Sequence, residues 1–457
     1  MVQNDLTRGS MLKNLIRFSL PFLISSFLQT FYGLADLFFV GQWGGADTIT
    51  AVSVGSQITH MLTVVIVGLS MGTTVAIGHL VGAGNRERAA KVIGNTVTLF
   101  VLFALALTGI LILCLDGVVA AVATPTEAVG QAKEYLLVCF IGIPFITAYN
   151  IISSIFRGMG NSRTPRYFVA AAGVINIVLD YILIGPLAMG ARGAAIATVA
   201  AQACSVILGL VVMLRRSEGI RLAGQDFRPE KDTLSGILRV GIPIAVQDGF
   251  IQISFLVITA IANGRGVDVA AAVGIVEKLI SFFFLVPSAM LSSVSAIASQ
   301  NAGAGKHGQA KKVMWYGICV CVCFGTAVAA ACQFCAETLV GLFAEDVQEV
   351  VRLGAQYLRS YVFDCGMAGI HFCFSGYFCA YGRSVLSFIH NVASVLLVRI
   401  PGAYLASLYF PESLYPMGWA APAGSVLSVV ICLGFYAALE KQGFDMGNRA
   451  NLKKNRN

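Results

Sequence analysis

Leu80-Val-Gly-Ala-Gly-Asn-Arg-Glu-Arg-Ala-Ala-Lys-Val92 and Asn301-Ala-Gly-Ala-Gly-Lys-His-Gly-Gln-Ala-Lys-Lys-Val313 are one polar interruption met twice, at an offset of 221, in an otherwise apolar chain. Each follows a long apolar run and precedes another. Other landmarks repeat at nearly the same offset: Pro21 falls opposite Pro243 and Tyr135-Leu136 opposite Tyr357-Leu358 at 222, and Gly193-Ala-Ala opposite Gly418-Trp-Ala-Ala at 225. The register barely drifts, so the chain reads as two copies of one unit.

Composition decides the solvent of those copies. Of 457 residues, 57% are hydrophobic and 12% charged, against about 25% charged in soluble domains, and mean hydropathy is +0.79. That leaves too little polar surface to clothe a water-soluble globule, so lipid must face most of the outside. A bilayer core needs about 20 helical residues to cross. Breaking the chain at its polar clusters gives twelve such runs, at 12–40, 49–76, 92–115, 134–156, 164–185, 190–214, 236–262, 269–298, 313–336, 352–380, 385–409 and 416–438. They lack the alternation of barrel strands and exceed their length. The expected fold is an all-α polytopic membrane protein with twelve transmembrane helices, its two six-helix lobes related by a pseudo-twofold along the membrane normal.

Cytoplasmic loops retain Lys and Arg. Placing both termini and every second loop there collects 24 of the 31 basic residues, while the opposite loop 337–349 is acidic through Glu337, Glu345, Asp346 and Glu349. This topology, rather than a nucleic-acid partner, explains the net charge of +8. Arg8, Lys13 and Arg17 lie before and at the start of the first run as in a signal peptide, but that run is too long and lacks a small-residue cleavage site. The expected domains are an N-lobe at 1–214, a cytoplasmic linker at 215–235, a C-lobe at 236–440 and a basic cytoplasmic tail at 441–457. A substrate cavity is expected between the lobes.

A proline in span 1, Gly-Ala-Gly followed by polar residues after spans 2 and 8, and the six-plus-six repeat together resemble the multidrug and toxic compound extrusion (MATE) family across nearly the whole chain. The likeness is strongest in the N-half, where Asp36 follows Pro21 by 15, Asp180 follows Asn176 by four and Thr198 follows Asp180 by 18. These spacings look like the prokaryotic members. The resemblance implies an antiporter of the bacterial inner membrane that exports cationic amphipathic drugs in exchange for H+ or Na+. It also implies that Asp36, Asn176, Asp180 and Thr198 form the cation-coupling network and that span 1 bends at Pro21.

The residues themselves allow that chemistry. An acid facing hydrocarbon costs about 2.5–3.5 kcal/mol on insertion scales, so intramembrane carboxylates are functional candidates by default. Asp36 and Asp180 lie four and five residues before the outer ends of their runs, about 6–8 Å inside. Asn176 shares a helix face with Asp180, and Thr198 can reach the same level. Two carboxylates close together in a low dielectric resist being ionised together, so the pair retains a proton or binds a small cation. Hard oxygen ligands suit Na+ as well as they suit a hydrogen bond, and the coupling ion stays open between H+ and Na+. The alternative is that both acids hydrogen-bond backbone at helix ends. Pro21 removes one backbone hydrogen bond, giving a hinge or a static kink.

In the C-half, Asp248, Asp364 and Arg399 fall at heights of roughly 18–24 Å and can meet at mid-membrane. They read as a buried charge cluster or as a binding group for cationic substrate. His371, seven residues from Asp364, is a candidate relay or a packing residue. Glu277 and Lys278, adjacent near the outer end of span 8, are expected to reach towards water. The twelve cysteines lie in or beside apolar runs and read as packing residues, with no metal-ligand set. Tyr32, Met61, Phe282, Phe283, Phe284 and Met290 are candidate cavity-lining groups.

Other classes are weighed against this reading. Gly303-Ala-Gly-Lys-His lacks the upstream glycine and following Ser/Thr of a phosphate-binding loop, which excludes an ATP-driven pump on this chain. No HExxH occurs, and Gly68-Leu-Ser-Met-Gly72, which matches GxSxG, lies within an apolar run as a helix-packing signal rather than on a strand-to-helix turn, so neither supports an intramembrane enzyme. A lipid-linked precursor flippase of related fold should present several cavity arginines and lysines, and only Arg399 is expected to be deep. A passive channel would ignore an imposed ion gradient. The expected protein is no enzyme, holds no cofactor or metal and binds no nucleic acid. Its partners are a small cationic substrate and membrane lipid, and it works as a monomer.

Overall fold

The computed structural model describes residues 5–122, 124–215, 220, 222–344 and 347–441, with helices and turns and no strand among them. The first half contributes α1 (Met11–Trp43), α2 (Ala46–Gly82), α3 (Arg86–Leu113), α4 (Leu115–Ala121), α5 (Val129–Gly158), α6 (Arg163–Ile184) and α7 (Gly190–Arg215). The second half contributes α8 (Lys231–Asn263), α9 (Val267–Phe283), α10 (Leu285–Gly303), α11 (His307–Gly341), α12 (Gln348–Tyr361) and α13 (Asp364–Ala380). It continues through α14 (Ser384–Ser394), a π-helical turn Val395–Arg399, α15 (Ile400–Tyr409), α16 (Tyr415–Gly418) and α17 (Ala420–Lys441).

Eleven helical stretches among the described residues are long and apolar enough to cross a bilayer. The run expected at 352–380 is the one that differs: it breaks at Val362-Phe363 into α12 and α13, and α12 carries Glu349, Arg352, Gln356 and Arg359. Neither piece alone has the length of a span.

The duplicated polar motif folds the same way in both copies. Gly84 adopts φ +72° and Gly305 φ +73°, a left-handed conformation that costs a Cβ-bearing residue dearly. Asn85 N–H then reaches Leu80 O at 2.9 Å and Lys306 N–H reaches Asn301 O at 2.8 Å, which closes each helix end with the six-to-one bond of a Schellman turn. The Asn85 side chain caps the next helix by accepting from Arg88 N–H at 3.0 Å. Gly160 (φ +86°) and Gly382 (φ +67°) build the same turn after α5 and α13, another pair related by the repeat.

The chain folds into two compact units, and their limits differ from those expected. One unit is Leu20–Gly241. The other joins Asp5–Ser19 to the chain from Ile242 onward. The crossing points, 19/20 and 241/242, are again related by the repeat, each just before its proline. The reason is packing. Leu6, Met11, Leu15 and Phe18 are buried among Val294, Ile297, Met314 and Phe374. Asn301 Nδ2 donates to Leu6 O (3.2 Å) and Lys306 Nζ to Thr7 O (2.7 Å). Within the first unit, Asn95 Nδ2 donates to Asp226 O (3.1 Å) and Arg228 O (3.0 Å), and Glu230 N–H donates to Asn95 Oδ1 at 2.6 Å. The described part of the expected linker is therefore fastened to α3. Residues 216–219, Arg221, Glu345, Asp346 and the basic tail beyond Lys441 lie outside the described residues.

Glycine sets the close approach of α2 and α8. A Cβ on Gly72 would overlap the Ile237 carbonyl and one on Gly241 the Leu69 carbonyl, both backbone atoms that cannot rotate aside. Gly72→Val is expected to cost about 1–3 kcal/mol or more through overpacking, read as a lower unfolding midpoint in detergent. Gly33→Val, with nothing within 4 Å of its Cβ position, should leave the midpoint unchanged.

Candidate functional site

α1 carries Asp36 seven residues from its end at Trp43, and α6 carries Asp180 four residues from Ile184. The depths are thus about 10 and 6 Å, Asp36 being deeper than expected because its helix runs three residues further. Both carboxylates are buried, with Asn176. Thr198 on α7 donates its hydroxyl to Asp36 Oδ2 at 3.0 Å. Asp180 and Asn176 are the other polar side chains within interaction range of Asp36. The structure thus brings Asp36, Asn176, Asp180 and Thr198 to one place inside the first unit.

Their bonding is incomplete. Asp36 Oδ1, both Asp180 oxygens and both Asn176 amide atoms are buried without a well-formed hydrogen bond among the described residues. Unmet buried polar groups are expensive. A proton shared between the acids, or a small cation among these oxygens, would satisfy them. Pro21 is buried inside an unbroken α1, where it offers no N–H to the carbonyl four residues back. Ser25 Oγ donates to Pro21 O at 2.9 Å beside it.

The second unit holds a different set. Arg399, at the end of the π-helical turn, is buried and donates to the Tyr361 hydroxyl. Its guanidinium stacks on Phe255 with 4.7 Å to the ring centroid. Asp364 and Glu277 are the carboxylates acting on it, yet neither forms an ion pair with it among the described residues. Glu277 accepts from Thr259 Oγ1 at 3.2 Å and turns inward to this cluster, not towards water as adjacency to Lys278 suggests. Asp248 stands apart from Arg399: its neighbours are Gln247 and Cys379. His371 is buried, with Nε2 3.3 Å from Ser425 Oγ, and Ser425 also bonds Asp364. A second buried histidine, His390, lies 5.4 Å away between ring centroids and meets Ser375 Oγ at 2.9 Å.

Several residues fall elsewhere than the sequence suggests. Arg157 belongs to a basic loop by its position but is buried at the end of α5, against Phe22. Met290 sits in the core of the second unit, and Phe283 and Phe284 pack against a second core cluster. These last three pack into the interior of the second unit. All twelve cysteines are free thiols. Tyr361 and Phe255 carry no sequence signal of their role, because only the π-helical turn aims Arg399 at them.

Comparisons with known proteins agree with this fold. The MatE family model matches residues 21–182 and 243–405, one match in each repeat. The chain is similar to the probable multidrug resistance protein YoeA of Bacillus subtilis, 24% identical over 449 residues and 97% of each chain. It is 27% identical to YpnP of the same organism, also a probable multidrug resistance protein, over 91% of this chain and 92% of that one. Among solved structures, a MATE in complex with MaL6 superposes with a TM-score of 0.90, covering 96% of this chain and 100% of the other at 23% identity.

Proposed function

As a member of the MatE family this chain is a membrane transporter rather than an enzyme, and we propose that it exports cationic amphipathic compounds in exchange for a cation held by Asp36 and Asp180. The observation that supports this most is the buried pair itself: two acids beside Asn176 and Thr198, three of whose four oxygens lack a well-formed hydrogen bond among the described residues. A site that holds an ion or yields it to cargo, but does not hold both well, exchanges the two. Each charge moved inward also gains about 2.3 kcal/mol per 100 mV of membrane potential.

Names of relatives, among them the multidrug resistance proteins above, support drug-like cargo. The basic loops support a bacterial inner-membrane orientation with both termini in the cytoplasm. We take the protein to work as a monomer with lipid and a small cationic substrate as its partners, without cofactor or nucleic acid. Proteoliposomes given a H+ or a Na+ gradient separately should move ethidium against its gradient under at least one of them. Ethidium movement that ignores both gradients would count against exchange.

A further inference from the structure

Most membrane-crossing stretches of this chain expose large apolar side chains along their length. α3 shows Val101, Leu102, Leu105 and Ile110 at the surface, and α6 shows Val174, Val178 and Ile182. Two stretches depart from this, and the repeat relates them: α2, at Ala46–Gly82, and α9 with α10, at Val267–Gly303, each 37 residues long. Beyond Ile49 in the first and Val267 in the second, neither exposes a large apolar side chain among the described residues.

What they expose instead is polar. α2 presents Ser53, Gln57 and His60, and α9 presents Lys278 and Ser281, with Ser288 following on α10. Spacings of three and four residues put the α2 set on one helix face and the α9 pair on another. Gln57 and Lys278 each stand 11 residues into their stretch, about 16 Å from its first residue, and His60 and Ser281 each stand 14 residues in. Such a face does not suit hydrocarbon, where lysine is among the costliest residues a helix can present. Each unit thus carries one stripe adapted to water at a depth where neighbouring helices are adapted to lipid, which marks a surface along which cargo travels.

Lys278 brings a full positive charge to its stripe. The adjacent carboxylate does not cancel it, because Glu277 turns inward, with Oε1 buried and Oε2 accepting from Thr259 Oγ1 at 3.2 Å. No ion pair involves Lys278 among the described residues, and its side chain is exposed. A charge of this kind repels a purely cationic cargo, most of all where little water separates the two. It attracts a cargo that brings an anion of its own, since the ammonium offers three N–H donors to a carboxylate.

We propose that Lys278 selects the cargo by receiving the carboxylate of zwitterionic amphipathic compounds, so that the preferred substrates carry an acid as well as a cation. The inference rests on the reading of the chain as an exporter of cationic amphipathic compounds and narrows it. The repeat-related position holds the neutral Gln57, so the selection belongs to the second unit.

The test uses two dyes that differ in one group. Rhodamine B carries a carboxylate beside its delocalised cation, and rhodamine B ethyl ester keeps the cation and blocks the acid. Binding of each to the detergent-solubilised full chain is followed by fluorescence anisotropy, and gradient-driven efflux of each is measured in proteoliposomes. Wild type should bind the acid more tightly than the ester. Lys278→Met keeps the stem and removes the charge, and it should shrink that preference about tenfold or more, the size of a charge-assisted hydrogen bond, by weakening the acid alone. Lys278→Arg should keep the preference and Lys278→Glu should reverse it. An unchanged preference in Lys278→Met, or equal weakening of both dyes, would overturn the role of Lys278. If the binding preference follows Lys278 as expected but neither dye is driven out by a H+ or a Na+ gradient, the exporter reading falls, and with it the selection of cargo, leaving only a carboxylate-binding site. Efflux of both dyes at the same rate in wild type and Lys278→Met would overturn the selection and leave the exporter standing.

Discussion

Asp36→Asn and Asp180→Asn are each expected to reduce gradient-driven ethidium efflux to the level of empty vesicles. The amide keeps the size and the hydrogen-bonding shape of the carboxyl but neither releases a proton nor neutralises a cation. With one acid gone, the remaining carboxyl no longer has a like-charged neighbour whose repulsion makes it keep a proton, and ion uptake loses its link to cargo. Neither change should harm folding. Asp180 has both oxygens buried without a well-formed hydrogen bond among the described residues, so a neutral amide there relieves a desolvation cost. The measurement is transport in proteoliposomes beside the unfolding midpoint in detergent. Wild-type transport in both variants would reduce the acids to structural roles.

The second large effect is expected at Arg399. Arg399→Leu removes the guanidinium that faces Glu277 and Asp364 and leaves two inward-turned acids without that counter-charge. Removing one partner of a buried charge set costs about 3–5 kcal/mol, because the remaining charge stays desolvated. The variant should show a strongly lowered unfolding midpoint or fail to accumulate. Adding Glu277→Gln and Asp364→Asn should recover most of the loss, since the triple variant leaves no bare charge. If Arg399→Leu alone melts like the wild type, the cluster is wet enough to screen itself. The exchange chemistry of Asp36 and Asp180 does not depend on that outcome.

Apolar runs and the repeat are legible in the sequence because each rests on spacing along one chain, whereas the grouping of Asp36, Asn176, Asp180 and Thr198 is implied by the family resemblance. Apolar length marks a span, a near-constant offset marks duplication, and four residues between Asn176 and Asp180 mark a shared face. What spacing does not carry is which helix stands beside which. Asp248, Asp364 and Arg399 fall at similar heights, yet only two of them meet, and Glu277 takes the third place. Sequence places Glu277 by its neighbour Lys278 and Arg157 by its distance from the apolar run. In both cases the tertiary partner, not the local sequence, fixes the direction of the side chain. The break at Val362-Phe363 is hidden for a related reason: mean hydropathy over a window does not register where a helix bends.

The crossing of the chain at Ser19/Leu20 and Gly241/Ile242 means that the gene's two halves and the molecule's two bodies are not the same objects. A polypeptide cut midway, near Arg221, would carry its own first turns orphaned at one end and lack a wall at the other. Neither fragment should be soluble in detergent alone. Supplied together in one cell, they should complement one another, each lending the other its opening segment.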